Sequence, residues 1–573
     1  MKFLDNEVLK KLQTIFDDFQ TNWKNAANDP PTNPYDSKYK AFSKLEEMQE
    51  IMNNLTDPEC QEHIDALQSY ILVSCGVIKA EVEEPTMGEK FLMRCLEMCD
   101  KVQEEKYTLS CRLSAHNQLG IIWCTRDEVI KSRQHLEKSL NIYFNFKNEN
   151  SREIFLFEDL MYPDKYEAKA NQEKNVEMLV THTYYYLAQV HGKQGNSKKS
   201  AEYCHETLDR QMRNSEYDPV DWCSNAAILS QFYLNEENFK SARYHLCSSL
   251  IIFEKHFDEN KEEDEERKEK IDMCRAHIDR LCGKYGETIL EYSHSESILA
   301  KVYKTIENVG NAEDEAVENP EFGDLDVSSK IEEITDKKIV DWETARKTFI
   351  WTQKHFTASQ EFYTMNEKCS DYVEITRDMS QLYKHLIYFE EDNDRKSKMH
   401  RRRADLLETV LKELSETHYL LVVRQILFEL GEIFSDMMDL KTKRWNEEPN
   451  NPHHAKKVNM MVTQAIHYFT RFLDTMKVEG KHPDKYNEDS VRPALLARFH
   501  LGRLASKFVV DENTEQHLRN VLTTFTSYKA IVDYCTRNED GAKAMEEEFE
   551  VCQEMVRLLP VKIDKIRKNL KRA

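Results

Sequence analysis

The chain has 573 residues, a formal net charge of −23, 40% hydrophobic and 32% charged residues, and only 13 each of Gly and Pro. Such acidity works against nucleic acid, whose binding needs a basic footprint to displace counterions, and against anionic membrane surfaces. Few turn formers together with much Leu, Lys, Glu and Met favour long helices, and the apolar content suffices for a continuous core.

The chain opens with "MKFLDNEVLKKLQTIF", where Asp5 and Glu7 stand in the place of a signal peptide's apolar run, so an amphipathic helix is expected. No apolar run reaches the roughly 20 residues that span a bilayer, so no membrane insertion is expected. The 14 Cys form no Cys-x-x-Cys pair, the nearest approach being "CLEMC" from Cys95 to Cys99. Scattered thiols without a secretion signal point to buried structural cysteines in a cytoplasmic protein.

Next comes a repeat. The tetratricopeptide pattern is about 34 residues long and describes a helix–turn–helix. A large residue at position 7 and a small one at position 8 face the partner helix. A small residue at position 20 and a large one at 24 answer them, so that the two helices approach closely. A weak copy places Cys75 and Gly76 at 7 and 8, with Gly88 and Leu92 at 20 and 24. "HNQLGIIW" places Leu119, Gly120 and Trp123 at 7, 8 and 11, then Leu136 and Ser139 at 24 and 27. In "YYYLAQVHGKQGNSKKSAEYCHETL", Tyr184, Leu187 and Ala188 take 4, 7 and 8, and Ser200 and Cys204 take 20 and 24. The fullest copy has Leu229, Ser230, Tyr233, Phe239, Ala242, Leu246 and Ser249 at 7, 8, 11, 17, 20, 24 and 27. Leu119 and Leu187 lie 68 residues apart, two whole periods.

Between about Lys255 and Asp341 the pattern stops. "DENKEEDEERKEK" is a charge run, a helical stretch is expected over about Ile271–Glu307, and "NVGNAEDEAVENPEFGD" reads as an acidic flexible link. Asp341 is a plausible N-cap for the next helix. The Leu-Gly pair returns as Leu430 and Gly431, with Phe434 at position 11, and again as Leu501 and Gly502. No run of period-2 alternation predicts a strand. The expected fold is all-α, a tetratricopeptide-like helical solenoid in two halves. It divides into an N-terminal solenoid over 1–257, a charged linker with a central helix over 258–340, and a C-terminal solenoid over 341–573.

Several short motifs suggest chemistry, and each has a plainer reading. "GKQGNSKKS" holds Gly192 and Gly195, but the residue before Lys198 is Ser197 and no strand precedes it, so it fails as a phosphate loop. A helical repeat surrounds it, which disfavours a nucleic-acid-binding Gly-x-x-Gly loop, and in register Gly195 falls at position 15 in the inter-helix turn. His191 and Cys204 fall on packing positions, His205 points elsewhere, and His453–His454 lacks Cys partners, so no structural metal is expected. Gly-x-Ser-x-Gly and His-Glu-x-x-His are missing, and no enzyme, cofactor or small-molecule substrate is indicated. "RKSKMHRRR" (Arg395 to Arg403) has six Lys/Arg in nine residues. It reads either as a contact for an acidic surface or, preferably, as a solvated helix face paired with "EEDND" at 390–394.

The inner groove is the best functional candidate. In such arrays the first helix of each pair lines the concave face at positions 2, 5, 9, 12 and 13. In register these are Asn117, His182, Tyr185, Gln189, Gln231, Asn235, Glu432 and Asp436, polar or aromatic residues suited to a peptide or helix partner. Chaperone-tail grooves use Lys at position 5, where this chain has Asn117, Tyr185 and Ala227.

Longer strings carry a more specific signal. "THTYYYLAQV", "AEYCHETLDRQM", "NAAILSQFY", "KMHRRRADLLE", "HYLLVVRQI" with "MMDLK", "VRPALLARF", "YKAIVDYC" and "MVRLLP" occur in order from Thr181 to Pro560. Together they resemble the KIF-binding protein (kinesin-binding protein) family; the first hundred residues and about 261–338 resemble it weakly. The resemblance implies a right-handed helical solenoid in two halves joined by a central linker, which binds the motor domains of selected kinesins and blocks their attachment to microtubules. It further implies a cytoplasmic, cytoskeleton-associated protein with roles in axon growth and in transport of cargo such as mitochondria, and no catalytic residues. The acidity fits a basic partner surface. The expectation is a monomeric adaptor for kinesin motor domains; the alternative is a generic tetratricopeptide scaffold or co-chaperone holding a peptide in its groove.

Overall fold

The computed structural model describes the chain except residues 149–152, 167–169, 216, 258–263, 304–320, 324, 450, 513 and 572–573. Among the described residues every regular element is a helix. In chain order the first eleven α-helices are α1 (Asn6–Asn25), α2 (Asp36–Asn53), α3 (Gln61–Glu81), α4 (Pro85–Cys99), α5 (Leu109–Thr125), α6 (Val129–Asn148), α7 (Phe157–Met161), α8 (Ala170–Lys193), α9 (Ser197–Asn214), α10 (Pro219–Asn235) and α11 (Phe239–His256). Then follow α12 (Glu265–Tyr303), α13 (Ser328–Ile331), α14 (Trp342–Phe362), α15 (Cys369–Phe389), α16 (Asn393–Glu413), α17 (Leu420–Glu447), α18 (Pro452–Asp474), α19 (Glu488–Ala505), α20 (Glu515–Arg537), α21 (Glu539–Ala544) and α22 (Glu546–Leu570). The chain forms two compact units, Met1–Glu262 with Glu315–Ser329, and Glu263–Asp314 with Lys330–Ala573.

Unit 1 stacks the antiparallel pairs α1–α2, α3–α4, α5–α6, α8–α9 and α10–α11. The repeat register explains how each pair closes. A side chain in place of Gly120 would run into Leu136, and one in place of Gly76 into Leu92, so the position-24 leucine fills the hole that position 8 leaves. Position 20 adds a hydrogen bond: Ser132 Oγ donates to the Gly120 carbonyl at 2.7 Å, and Ser200 Oγ to the Ala188 carbonyl at 2.8 Å. Leu119, Leu187, Ala188, Leu229, Ser230 and Ala242 are all buried, as the register requires.

The turns share one geometry. At position 15 Glu83, Asp127, Gly195 and Glu237 have φ of +64°, +62°, +73° and +57°. The amide after each reaches back five residues, as in Asn196 N to the His191 carbonyl at 2.9 Å and Glu128 N to the Trp123 carbonyl at 2.9 Å. This is the left-handed stop of a first helix, followed at once by a cap for the second: Asn196 and Asn238 accept from the amides of Lys199 and Ser241. Only one of the four turns uses glycine, which is why sequence inspection sees one turn and misses three.

Unit 2 pairs α12 with α14, α15 with α16, α17 with α18 and α19 with α20, and α22 packs along α20. Gly431 lies against Phe469 and Gly502 against Tyr528, so here aromatic rings fill the holes. Leu430 is buried, whereas Leu501 is half-buried. Asp341 caps α14 through the Thr344 amide at 2.9 Å.

Two features differ from the expected linker over 258–340. The central helix, α12, is a full hairpin partner. A side chain at Gly283 would meet the Phe356 ring and one at Gly286 would meet Thr352, while Ser359 Oγ donates to the Ala276 carbonyl at 2.9 Å. The repeat register misses this pair because its helices are joined by a long connection rather than a short turn. Secondly, within the acidic stretch expected to be a flexible link, Phe322 is fully buried on unit 1. Residues 308–320 lie outside the described residues.

All 14 cysteines are free and eleven are buried. Among the described residues no helix is long and apolar enough to cross a membrane.

Candidate partner-binding cleft

The α8–α9 hairpin positions the site. Its turn fixes α8 so that Tyr184, Leu187 and Ala188 face inward, while His182, Tyr185 and Gln189 point outward along one stripe. His191 is buried and stacks on Tyr203 with ring centroids 5.4 Å apart. Asn196 caps α9, and Lys198 and Lys199 begin that helix. The Gly-x-x-Gly is therefore turn and cap. Among the described residues no cluster of three or more His, Cys, Asp or Glu is placed to hold a metal ion.

Tyr185 and Gln189 line a cleft of about 370 Å³ between α8, α9 and α10. Cys204, Thr207 and Gln211 form its floor from α9, and Ile228 and Phe232 its far wall from α10. Tyr185 is 44% exposed and Ile228 53% exposed, an aromatic and an aliphatic side chain kept in water by the fold. Apolar walls set beside amides and hydroxyls are what a helix or peptide partner needs: anchors to bury and polar groups to set register.

The other groove positions fall differently. His182 is exposed but is not among the residues lining the cleft. Gln231 is half-buried beside Ser230 and Asn235 is exposed, yet α10 turns Ile228 and Phe232 into the cleft, one turn-face away from the expected positions. Asn117 is buried: its Nδ2 donates to the Leu179 carbonyl at 2.8 Å and its Oδ1 accepts from Thr183 Oγ1 at 2.8 Å. It ties α5 to α8 and offers nothing to a partner. Helical periodicity does not mark Ile228 and Phe232, because apolar residues at that spacing usually mean core; their exposure depends on how the next hairpin is set.

Glu432 and Asp436 belong to unit 2, where they are exposed one turn apart on α17. Desolvation by neighbouring protein raises both carboxyls above their usual range, against the pull of Lys384 and Arg403. Beneath them lies a polar core that sequence does not reveal. Arg403 is 3% exposed and donates from Nη2 to Glu429 Oε1 at 3.0 Å; Ser380 Oγ and Gln381 Nε2 donate to the same oxygen at 2.6 and 3.0 Å. Elsewhere in "RKSKMHRRR", Arg395 pairs with Glu390 at 3.5 Å and Arg401 with Asp405 and Glu408 at 2.6 and 3.0 Å.

Unit 1 holds a second cleft of about 420 Å³, lined by Phe16, Phe19 and Trp23 from α1 and by Tyr70, Val73 and Val77 from α3. The repeat register does not single it out, because α1 precedes the first recognisable copy.

Comparison with known proteins gives consistent matches. A family model described as "KIF-1 binding protein C terminal" matches residues 220–566. The chain is 32% identical over 571 residues to a Gallus gallus protein named KIF-binding protein, covering 95% of each chain. It is 33% identical over 601 residues to the Danio rerio protein of that name, again covering 95% of each, and 30% identical over 596 residues to the Homo sapiens one, covering 94% of this chain and 95% of the other. The coverage takes in the first hundred residues, where the motif strings resemble the family only weakly. A solved structure titled "Kinesin binding protein (KBP)" superposes with a TM-score of 0.67 at 27% identity, covering 98% of this chain and all of that one. A second, titled "Cryo-EM map of KIFBP", gives 0.68 at 28% identity with the same coverage.

Proposed function

The chain belongs to the KIF-binding protein family, and from that premise we propose that it is a non-enzymatic adaptor that binds kinesin motor domains and keeps them off microtubules. The observation that carries this reading is the length of the match: relatives that bear the name align with 94–95% of the chain.

Physical chemistry supplies the rest of the proposal. A motor that runs on an acidic polymer must present a basic face to it, and a chain of net charge −23 competes for that face. The α8–α10 cleft adds the anchors that charge alone lacks, Tyr185 and Ile228 for burial and Gln189 for register. Acting on motors in this way, the protein works in the cytoplasm beside the cytoskeleton, as a monomer, and limits microtubule-based transport of cargo such as mitochondria during axon growth. A co-chaperone role is disfavoured by Asn117, Tyr185 and Ala227 at the position where a carboxylate clamp needs Lys.

A pull-down with purified kinesin motor domains in one arm and chaperone C-terminal tails in the other separates the two readings. Capture of motors but not tails, weakening steeply as salt rises, is expected. Capture of tails alone, or motor binding indifferent to salt, rejects the proposal.

A further inference from the structure

The buried Phe322 lies outside the cleft and outside the repeat packing, and it behaves like a ligand. Its ring stacks on His205 at 4.5 Å with an interplanar angle of 15°, and meets Trp222 at 5.1 Å and His245 at 5.2 Å edge-on. Its backbone N–H donates to the Tyr244 hydroxyl at 2.6 Å. The next residue, Gly323, has φ +38°, and a side chain built there would lie 3.9 Å from Asp209 Oδ1. The pocket thus recognises an aromatic ring, the amide that carries it and a following residue in a conformation that favours glycine.

The walls of this pocket are fixed without Phe322. Trp222 Nε1 donates to the Leu208 carbonyl at 3.0 Å, His245 Nδ1 bonds the Ser241 carbonyl at 2.7 Å, and His205 Nδ1 and His245 Nε2 lie 3.0 Å apart. Glu321 and Gly323, on either side of the anchor, are exposed. A preformed socket of α9, α10 and α11 side chains, filled by one ring from a non-helical acidic segment, is how folded domains hold short linear peptides.

We propose that unit 1 carries a binding socket for a short aromatic–glycine peptide, and that Glu321–Phe322–Gly323 occupies it in cis as a latch that opens without unfolding the helices around it. The inference is independent of the kinesin reading, since it concerns a different face of α9 and α10 and its test uses no motor.

The test uses the full chain with Phe322→Ala and a fluorescent synthetic peptide of residues 320–328. The variant keeps wild-type helicity and a cooperative melt, and binds the peptide in an anisotropy titration. The same peptide with alanine at the Phe322 position binds at least about tenfold more weakly. The wild-type chain also binds at least about tenfold more weakly, because its own tethered segment competes at an effective concentration of roughly millimolar. Gly323→Val in the full chain, which strains the turn while keeping the ring, raises peptide binding towards the Phe322→Ala level. Equal binding by wild type and Phe322→Ala, no binding by a folded variant, or loss of helicity on Phe322→Ala each overturns the proposal; the last makes Phe322 a core residue and not a latch.

Discussion

The two units are built from the same helical hairpin but close it by different means. In unit 1 leucines fill the glycine holes and serine hydroxyls bond the facing carbonyls, as at Gly120–Leu136 and Ser132. In unit 2 aromatic rings fill the holes, as at Gly283–Phe356 and Gly431–Phe469, and the helix crossings also bury ions. Arg403 and Glu429 join α16 to α17, His355 Nδ1 lies 2.5 Å from Asp279 Oδ1 between α14 and α12, and Lys284 bridges Glu287 and Asp378 at 3.4 and 2.7 Å between α12 and α15. A leucine tip adjusts by a rotamer, and a serine loses one neutral hydrogen bond. A ring or a buried ion has no such freedom. The two units should therefore respond differently to the same kinds of change.

Arg403→Leu tests this most severely. It leaves the Glu429 carboxylate buried without its counter-charge and should destabilise unit 2 by about 3–5 kcal/mol. Chemical denaturation followed by hydrogen exchange should show the loss in α15–α18 and leave α3–α6 protected. Next in size is a paired substitution. Gly283→Ala places a methyl within 2.4 Å of the Phe356 ring and should cost about 1–3 kcal/mol. Gly120→Ala meets only the Leu136 side chain, and should cost less by denaturant midpoint. Equal costs would break the comparison.

A pH titration sharpens it further. Burial, with Asp378 beside it, raises the Glu287 carboxyl from 4.5 to about 8, against the attraction of Lys284. A carboxyl whose folded value is raised binds more protons folded than unfolded. Its contribution is complete below pH 4.5 and disappears as pH rises through about 8. Unit 2 should thus lose stability progressively as pH rises from 4.5 to about 8 and level off above that, and Glu287→Gln should flatten that slope in thermal melts. The smallest effect is expected in the unit 1 turns. Glu237→Gly relieves a left-handed non-glycine residue, offset by greater freedom of the unfolded chain, for a net gain of a few tenths to about 1 kcal/mol. Gly195→Ala should lose a similar amount, read as paired shifts in melting temperature.

The same contrast explains what was legible beforehand. Hairpins with short turns carry their register in adjacent letters, so Leu119–Gly120 with Leu136, and Leu187–Ala188 with Ser200, announce themselves. The α12–α14 hairpin uses the same small-residue contact, but Gly283 and Phe356 are 73 residues apart and no fixed period links them. At the cleft, Tyr185 and Gln189 follow from helical phase on α8. Ile228 and Phe232 do not, since an apolar pair reads as core until the neighbouring hairpin is seen to leave it open. Asn117 has a groove position's phase but is drawn inward by the Leu179 carbonyl, a contact made 62 residues away. Phe322 sits in a stretch whose composition points to a flexible link, and composition cannot report a single anchoring ring.

On the proposed function, this chain withholds kinesin motor domains from their track through the unit 1 cleft. Microtubule co-sedimentation of a kinesin motor domain, alone, with the wild-type chain and with Tyr185→Ala combined with Ile228→Glu, tests it most directly. The wild-type chain is expected to move the motor from pellet to supernatant, and the double variant, still folded, to leave it in the pellet. A motor that pellets equally with and without the wild-type chain, for every kinesin tried, would contradict the function; displacement by the double variant as complete as by the wild type would contradict the cleft.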